Sequence, residues 1–296
     1  MQYSISELEQ LSGVSSHNIR IWERRYNALQ PSRTSGNKRF YDDEQLKRLL
    51  NITGLYYLGH KISTACAMGQ PEVDAMLQME FDATIAVENR YEYYISQIIS
   101  NGLVYNEQQV NQLIVKSFEQ NGILETYKYV LYPLLVRLGL MWRKESLCPS
   151  QEHFLSSIIR QKLYAAIDAC EIEERSNSSW LLFLPEDEDH DIGLLLASFL
   201  LRSAGNKVVY LGPKVPLFAL QSTYEATEPA NLFFFMTRVR PVNEAREYLT
   251  SLAETFPAAS IFASGNPRLL SELNYPGQVK WLIDVHDFEN VIQLNN

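Results

Sequence analysis

The segment Trp180-Leu-Leu-Phe-Leu-Pro-Glu-Asp-Glu188-Asp-His190-Asp-Ile-Gly193 runs from an apolar strand, through an acidic loop, into an apolar helix. Downstream, the apolar runs Lys207–Gly212, Asn231–Met236, Ser260–Ala263 and Val279–Asp284 alternate with helical patterns near 192–204, 216–226, 241–255 and 267–274. Short apolar strands separated by helices predict a parallel sheet covered on both faces, a Rossmann-like doubly wound α/β domain. His190 then falls at the carboxyl end of the first strand, where open α/β sheets bind ligands. Glu188, two residues earlier, can accept the proton of one ring nitrogen and leave the other free for a metal. Gly193 removes a side chain where the helix start would approach a bulky ligand.

The chain has 296 residues, enough for two or three domains. Apolar residues make up 46% and charged residues 21%, an ordinary globular composition. Cys66, Cys148 and Cys170 are too few and too scattered for a disulfide framework or a zinc site, which fits a reducing cytosol. The start has no apolar signal core, and no run of about 18 apolar residues occurs, so no membrane span is expected and a cytoplasmic location is. The net charge of −9 argues at first against nucleic acid. Its distribution reverses that argument: residues 1–61 carry +3 and the remainder −12. A short basic segment on an acidic body is an electrostatic footprint for phosphate.

In that basic segment Ser4 and Glu7 form a capping-box pattern, and Gly13 ends the first helix. Ser15 or Ser16 caps a second helix through Tyr26, with Ile19, Trp22 and Tyr26 at helical spacing. Two short helices joined at Gly13-Val14 make a helix-turn-helix, with Ser16, His17, Asn18 and Arg20 at the end that meets base edges. The stretch Pro31-Ser-Arg33-Thr-Ser-Gly-Asn-Lys38-Arg39-Phe-Tyr41 has a Gly-Asn turn between basic arms, as in a hairpin wing that touches phosphates. Asp42-Asp-Glu44 caps a further helix. The run Ile-Arg-Ile-Trp-Glu-Arg-Arg-Tyr over 19–26, followed by Pro31, Arg33-Thr, Gly36 and Arg39-Phe-Tyr, resembles MerR-type winged-helix DNA-binding domains over about 70 residues. The resemblance implies that Arg20, Trp22, Arg39 and Tyr41 contact the DNA backbone and that Ser16 and His17 reach bases. Arg33 and Lys38 join them from the wing.

Residues from about 78 to 175 read as four helices, Phe81–Ser100, Asn106–Asn121, Ile123–Trp142 and Ser150–Glu171, punctuated by Asn101-Gly102, Asn121-Gly122 and Cys148-Pro149-Ser150. Four such segments predict an antiparallel bundle. Trp142 ends one helix and, nine residues on, Glu152-His153 begins the next, so all three lie near one end of the bundle. The spacing resembles the Trp-x9-Glu-His motif of light-sensing cobalamin-dependent repressors of the MerR superfamily, the CarH/LitR type. Glu188-x-His190-x-x-Gly193 is similar to the lower-ligand motif of cobalamin-binding domains, usually written with Asp in first place. Gly205-Asn-Lys-Val-Val-Tyr-Leu-Gly212-Pro-Lys-Val-Pro216 is similar to their second strand and turn.

These resemblances imply a cobalamin site, holding adenosylcobalamin or a related form. His190 would ligate cobalt from below, and Trp142, Glu152 and His153 would lie over the upper face. Glu188, Asp191, Ile192 and Gly193 would line the site, with Thr237, Val239, Ser264 and Gly265 around the nucleotide tail. There are departures. The His that follows the Trp in the light-sensing proteins is Arg143 here, which cannot ligate. A Ser-x-Leu pair is replaced by Thr237-Arg-Val239, and a Gly-Gly pair by Ser264-Gly265. The Phe233-Phe234-Phe235 run is bulky.

The sequence therefore predicts a multidomain α and α/β chain: a winged helix-turn-helix over 1–75, a four-helix bundle over 76–176 and the Rossmann-like domain over 177–296. It reads as a transcription regulator of double-stranded operator DNA, a homodimer or homotetramer, that senses cobalamin. The alternative is the same regulator with a sensor domain serving another ligand or only oligomerisation. No catalytic barrel or nucleophile–base pair points to an enzyme.

Overall fold

A computed structural model describes residues 1–33, 36–80, 87–142, 149–170, 178–266, 269, 273 and 275–294. The chain divides into two compact units, Met1–Lys162 and Leu163–Asn296.

The first unit opens with α1 (Ile5–Ser12) and α2 (Ser16–Tyr26). Ser4 caps α1 through the Glu7 amide while Glu7 reaches back to the Ser4 amide, so two of the helix's orphan donors are satisfied together. Gly13 ends α1 at φ +71°, a left-handed turn in which a side chain would be strained. Of the two candidate caps for α2, Ser15 takes the role, accepting from the Asn18 amide. The wing is a short antiparallel pair, β1 (Ser32–Arg33) and β2 (Arg39–Phe40). Asn37 turns at φ +60° and accepts a hydrogen bond from Arg33. Asp42 caps α3 (Asp43–Tyr57), and α4 (Ile62–Ala67) and α5 (Gln70–Glu80) follow.

The remaining helices of this unit are α6 (Val87–Leu103), α7 (Glu107–Asn121), α8 (Ile123–Thr126), a π turn over Tyr127–Leu131, α9 (Tyr132–Trp142) and α10 (Pro149–Asp168), within which the two units divide. The segment expected as one helix over 123–142 is therefore interrupted by a wider turn. Such π turns are rare and occur mostly as single turns inside α-helices. Residues 93–100 of α6 are all buried. A helix buried all round is the centre of a core, and α6 packs on α3 of the head as well as on α7 and α9. The head and the helical layer thus share one helix.

In the second unit five parallel strands, β3 (Ser179–Pro185), β4 (Lys207–Val215), β5 (Asn231–Met236), β6 (Ser260–Gly265) and β7 (Val279–Trp281), lie in the order β4-β3-β5-β6-β7. Leu181, Phe183, Phe234 and Met236 pack on one face with α12 (Leu217–Thr227) and α13 (Val242–Thr255). Trp180, Leu182, Leu184 and Phe233 pack on the other with α11 (Ile192–Ser203) and α14 (Val285–Leu294). Both faces are covered, as the near-continuous apolar strands require. The sheet builds outward in two directions from β3, so β3 and β5 flank the topological switch point. Helix α14 has no counterpart in the sequence reading; Phe288 and Ile292, one turn apart, seat it on the sheet. The expected helix over 267–274 lies outside the described residues apart from 269 and 273, as do the Phe81–Ala86 start of the first bundle helix and Cys148.

Candidate functional site

The loop after β3 carries the acidic cluster, and the sheet order brings it beside the loop after β5. Glu188 points inward and is fully buried. One carboxylate oxygen accepts from the Thr237 and Arg238 amides at 2.7 and 2.8 Å. The other accepts from His190 Nδ1 and, at 3.2 and 3.3 Å, from the Asp189 and His190 amides. The Glu188 carbonyl in turn accepts from the Lys214 amide beyond the bulge of β4, at 3.2 Å. Burial alone would raise the Glu188 pKa. The hydrogen bonds from His190 and from the Arg238 and Thr237 amides outweigh it and hold the carboxyl down at about 2.

With Nδ1 committed to Glu188, His190 keeps Nε2 as its free ring nitrogen, and its side chain is 54% exposed. The Glu188 hydrogen bond raises the imidazole pKa; burial opposes the rise, and the charges of Glu188 and Asp189 add to it. Glu188, Asp189 and His190 also form the group of potential metal-ligating side chains found among the described residues. Asp189 is tied to Lys214 at 3.6 Å, Asp191 is buried at the start of α11, and Ile192 is buried beside it. Large apolar side chains stand exposed along the carboxyl edge of the same sheet: Phe218 after β4, Val239 after β5 and Ile283 after β7. An imidazole presented by a buried carboxylate, with its second ring nitrogen left free, suits ligation of a metal.

Three positions of the expected site also have internal neighbours. A Cβ on Gly193 would come within 2.9 Å of the Phe235 ring, so an internal neighbour also favours a glycine there. Ser264 donates its hydroxyl to the Leu282 carbonyl at 2.8 Å. Gly265 is the indispensable member of the Ser264-Gly265 pair, with φ +135° and the Met236 carbonyl 2.3 Å from where a Cβ would stand. Phe233 and Phe234 lie in the two cores, while Phe235 is only partly buried. One residue of this site escaped the sequence reading. The Arg240 side chain is largely out of solvent, 3.2 Å from Asp187 and 3.8 Å from Glu188, yet in the sequence it is one loop arginine among others.

In the first unit Trp142 closes α9 and Glu152-His153 lie in the first turn of α10, paired with each other at 3.1 Å; Arg143 lies outside the described residues. Tyr132 and Val136 of α9 are exposed, and a side chain at Gly139 would meet open space. On the head, His17, Asn18 and Arg20 of α2 and Arg33 and Lys38 of the wing are exposed, Arg39 is half-buried, and Ser16 donates to Glu9. Tyr41 and Trp22 are buried instead. Tyr41 donates its hydroxyl to Glu23, which Arg39 also approaches at 3.4 Å, and Trp22 packs beside Tyr56. Arg48, one of the bases in the positive N-terminal segment, turns inward to donate to the carbonyls of Ala28, Cys66 and Met68.

The two units thus present a winged helix-turn-helix on a helical layer and a doubly wound sheet with a histidine at its switch point. Residues 3–68 match the MerR HTH family regulatory protein model, and residues 95–167, the helical layer, match a B12 binding domain model. The chain is 29% identical over 258 residues to the HTH-type transcriptional repressor CarH of Myxococcus xanthus, covering 86% of this chain and 85% of that one. It is 25% identical over 253 residues to CarA of the same organism, covering 82% and 80%. A monomethylamine corrinoid protein from Methanosarcina barkeri shares the fold with a TM-score of 0.56 at 13% identity, over 71% of this chain and 100% of that one. The chain is homologous to the CarH and CarA repressors: a CarH-like transcriptional regulator with a MerR HTH and a B12-binding domain. No helix among the described residues is long and apolar enough to cross a membrane.

Proposed function

We propose that this chain binds operator DNA and senses cobalamin in the cytoplasm, with His190 Nε2 as the lower axial ligand of cobalt. The observation that carries the reading is the His190–Glu188 hydrogen bond, which commits Nδ1 to a buried carboxylate and turns the other nitrogen out. Cobalamin would supply a cobalt able to take that nitrogen. Phe218, Val239 and Ile283 supply exposed apolar surface along the carboxyl edge of the same sheet. Trp142, Glu152 and His153 are assigned to the upper face, with adenosylcobalamin or a related form as the cofactor. Thr237, Val239, Ser264 and Gly265 are assigned to the tail. The reading divides the chain into a DNA-binding part (1–75), a bundle (76–176) and a corrinoid-binding part (177–296), none of them an enzyme. Half-site recognition by so small a head favours a homodimer or homotetramer.

Purified protein mixed with cobalamin in the dark and passed through gel filtration tests this reading. The wild type should stay coloured and His190→Ala should lose the colour. A second reading draws on the Phe235 ring beside Gly193, which takes up space at the switch point. In that reading the sensor domain serves another ligand or oligomerisation, and the wild type emerges colourless.

A further inference from the structure

Arg240 lies four residues beyond the end of β5 and is 8% exposed. Its Nη1 pairs with Asp187 at 3.2 Å, and its Nη2 faces Glu188 at 3.8 Å. Neither Nε nor Nη2 has a hydrogen-bond partner. A guanidinium is rarely buried without a compensating reason. Here it is the positive charge beside two consecutive acids of the loop that carries His190. The hydrogen-bond donors to the Glu188 carboxylate are four backbone amides, which carry no full charge, and the imidazole itself. With the guanidinium gone, this fully buried charge is left without a counter-ion and is favoured to swing toward water. That movement would release the imidazole. Arg238 adds a strap from the same segment, donating from Nη1 to the Asp187 carbonyl at 2.7 Å.

We propose that Arg240 is a positioning residue: its buried guanidinium holds Asp187 and Glu188 in place, so that Glu188 fixes His190 with Nδ1 turned inward and Nε2 outward before any ligand arrives. The importance of that orientation rests on the reading of His190 as a metal ligand; the orientation itself does not. The mechanism differs from packing in one respect. What Arg240 compensates is the charge of Glu188, so removing both charges should undo the harm of removing one.

The test uses the full-length apo protein labelled with 15N-histidine, with the His190 signals assigned by their loss in His190→Ala. Wild type should show His190 as the Nδ1–H tautomer. Arg240→Met should turn it over to the Nε2–H tautomer, the form free imidazoles prefer, while Arg240→Lys keeps most of the wild-type signal. Arg240→Met/Glu188→Gln should unfold at higher denaturant than Arg240→Met alone, even though Glu188→Gln destabilises the wild type. A folded Arg240→Met protein with the wild-type tautomer overturns the proposal. If Arg240→Met does not fold, the double variant decides: folding supports the proposal, and failure to fold overturns it. Because neither readout contains cobalamin, a colourless wild type with an Arg240-dependent tautomer would remove the cofactor reading alone. A coloured wild type with an Arg240-independent tautomer would remove this inference alone.

Discussion

At the scale of single residues, the site is a contest between burial and hydrogen bonding, and pH shows which wins. Glu188 ionises at about 2 in the folded chain and near 4.5 unfolded, so its contribution is complete above 4.5 and is lost as the pH falls through 2. His190 is raised above 6.5, so its contribution is complete below 6.5 and is lost as the pH rises through the folded value. The pair should therefore stabilise the apo protein most between about pH 4.5 and 6.5. Urea unfolding across that range should show the maximum in wild type and flatten it in Glu188→Gln, which at neutral pH should cost about 1–3 kcal/mol. An unchanged pH profile in the variant would show that the carboxylate is not the group responsible. The two glycines of the site should differ in the same assay. Gly265→Ala meets fixed backbone at 2.3 Å in a left-handed conformation and should prevent folding of the second unit. Gly193→Ala meets the end of the Phe235 ring at 2.9 Å, should cost about 1–3 kcal/mol, and should be relieved by adding Phe235→Leu. Equal damage at both positions, with no relief from the second change, would contradict this account of Gly193.

At the scale of elements, α6 sets the mechanics of the first unit. Its Ser100 donates to Asn51 of α3, which donates on to Asp74 of α5, and its Gln97 lies against Gly54 of α3. The Gly13 turn of the helix-turn-helix rests on the Glu92–Arg137 pair that joins α6 to α9. We expect amides of α1–α3 and of α6 to exchange hydrogen through one shared opening. Gly54→Val, whose side chain would collide with Gln97, should then speed exchange in both to the same degree. Acceleration confined to α1–α3 would mean the head opens alone. Little of this was legible beforehand. Ser4, Glu7, Gly13 and Asp42 announce helix ends because caps are local chemistry, and the strands after Trp180 announce themselves because both faces are buried. The π turn at Tyr127–Leu131 and the seat of α14 depend on partners distant in sequence, which periodicity cannot register. For the same reason His190 and Glu188 could be read from their spacing, whereas Arg240 became visible only once β3 and β5 were side by side.

At the scale of the whole molecule, the division of charge decides how DNA is held. The first 61 residues carry +3 on a chain of net charge −9, so attraction to phosphate must come from a few side chains whose positions matter more than their number. Not all the basic residues there are available. Arg48 spends its guanidinium on three internal carbonyls, and Arg39 is half-buried beside Glu23, whereas Arg33 and Lys38 of the wing are exposed. Removing one side chain that neutralises a phosphate lowers the slope of log affinity against log salt by about 1. Arg33→Ala and Lys38→Ala should therefore each reduce that slope by roughly one unit, with little change in stability. Arg48→Ala should leave the slope unchanged and destabilise the head, because three carbonyls lose their donor. DNA titrations at several salt concentrations, paired with thermal melts, separate the two kinds of arginine. A salt slope that falls for Arg48→Ala, or holds for both wing variants, would mean that phosphate is met on a different surface of the head.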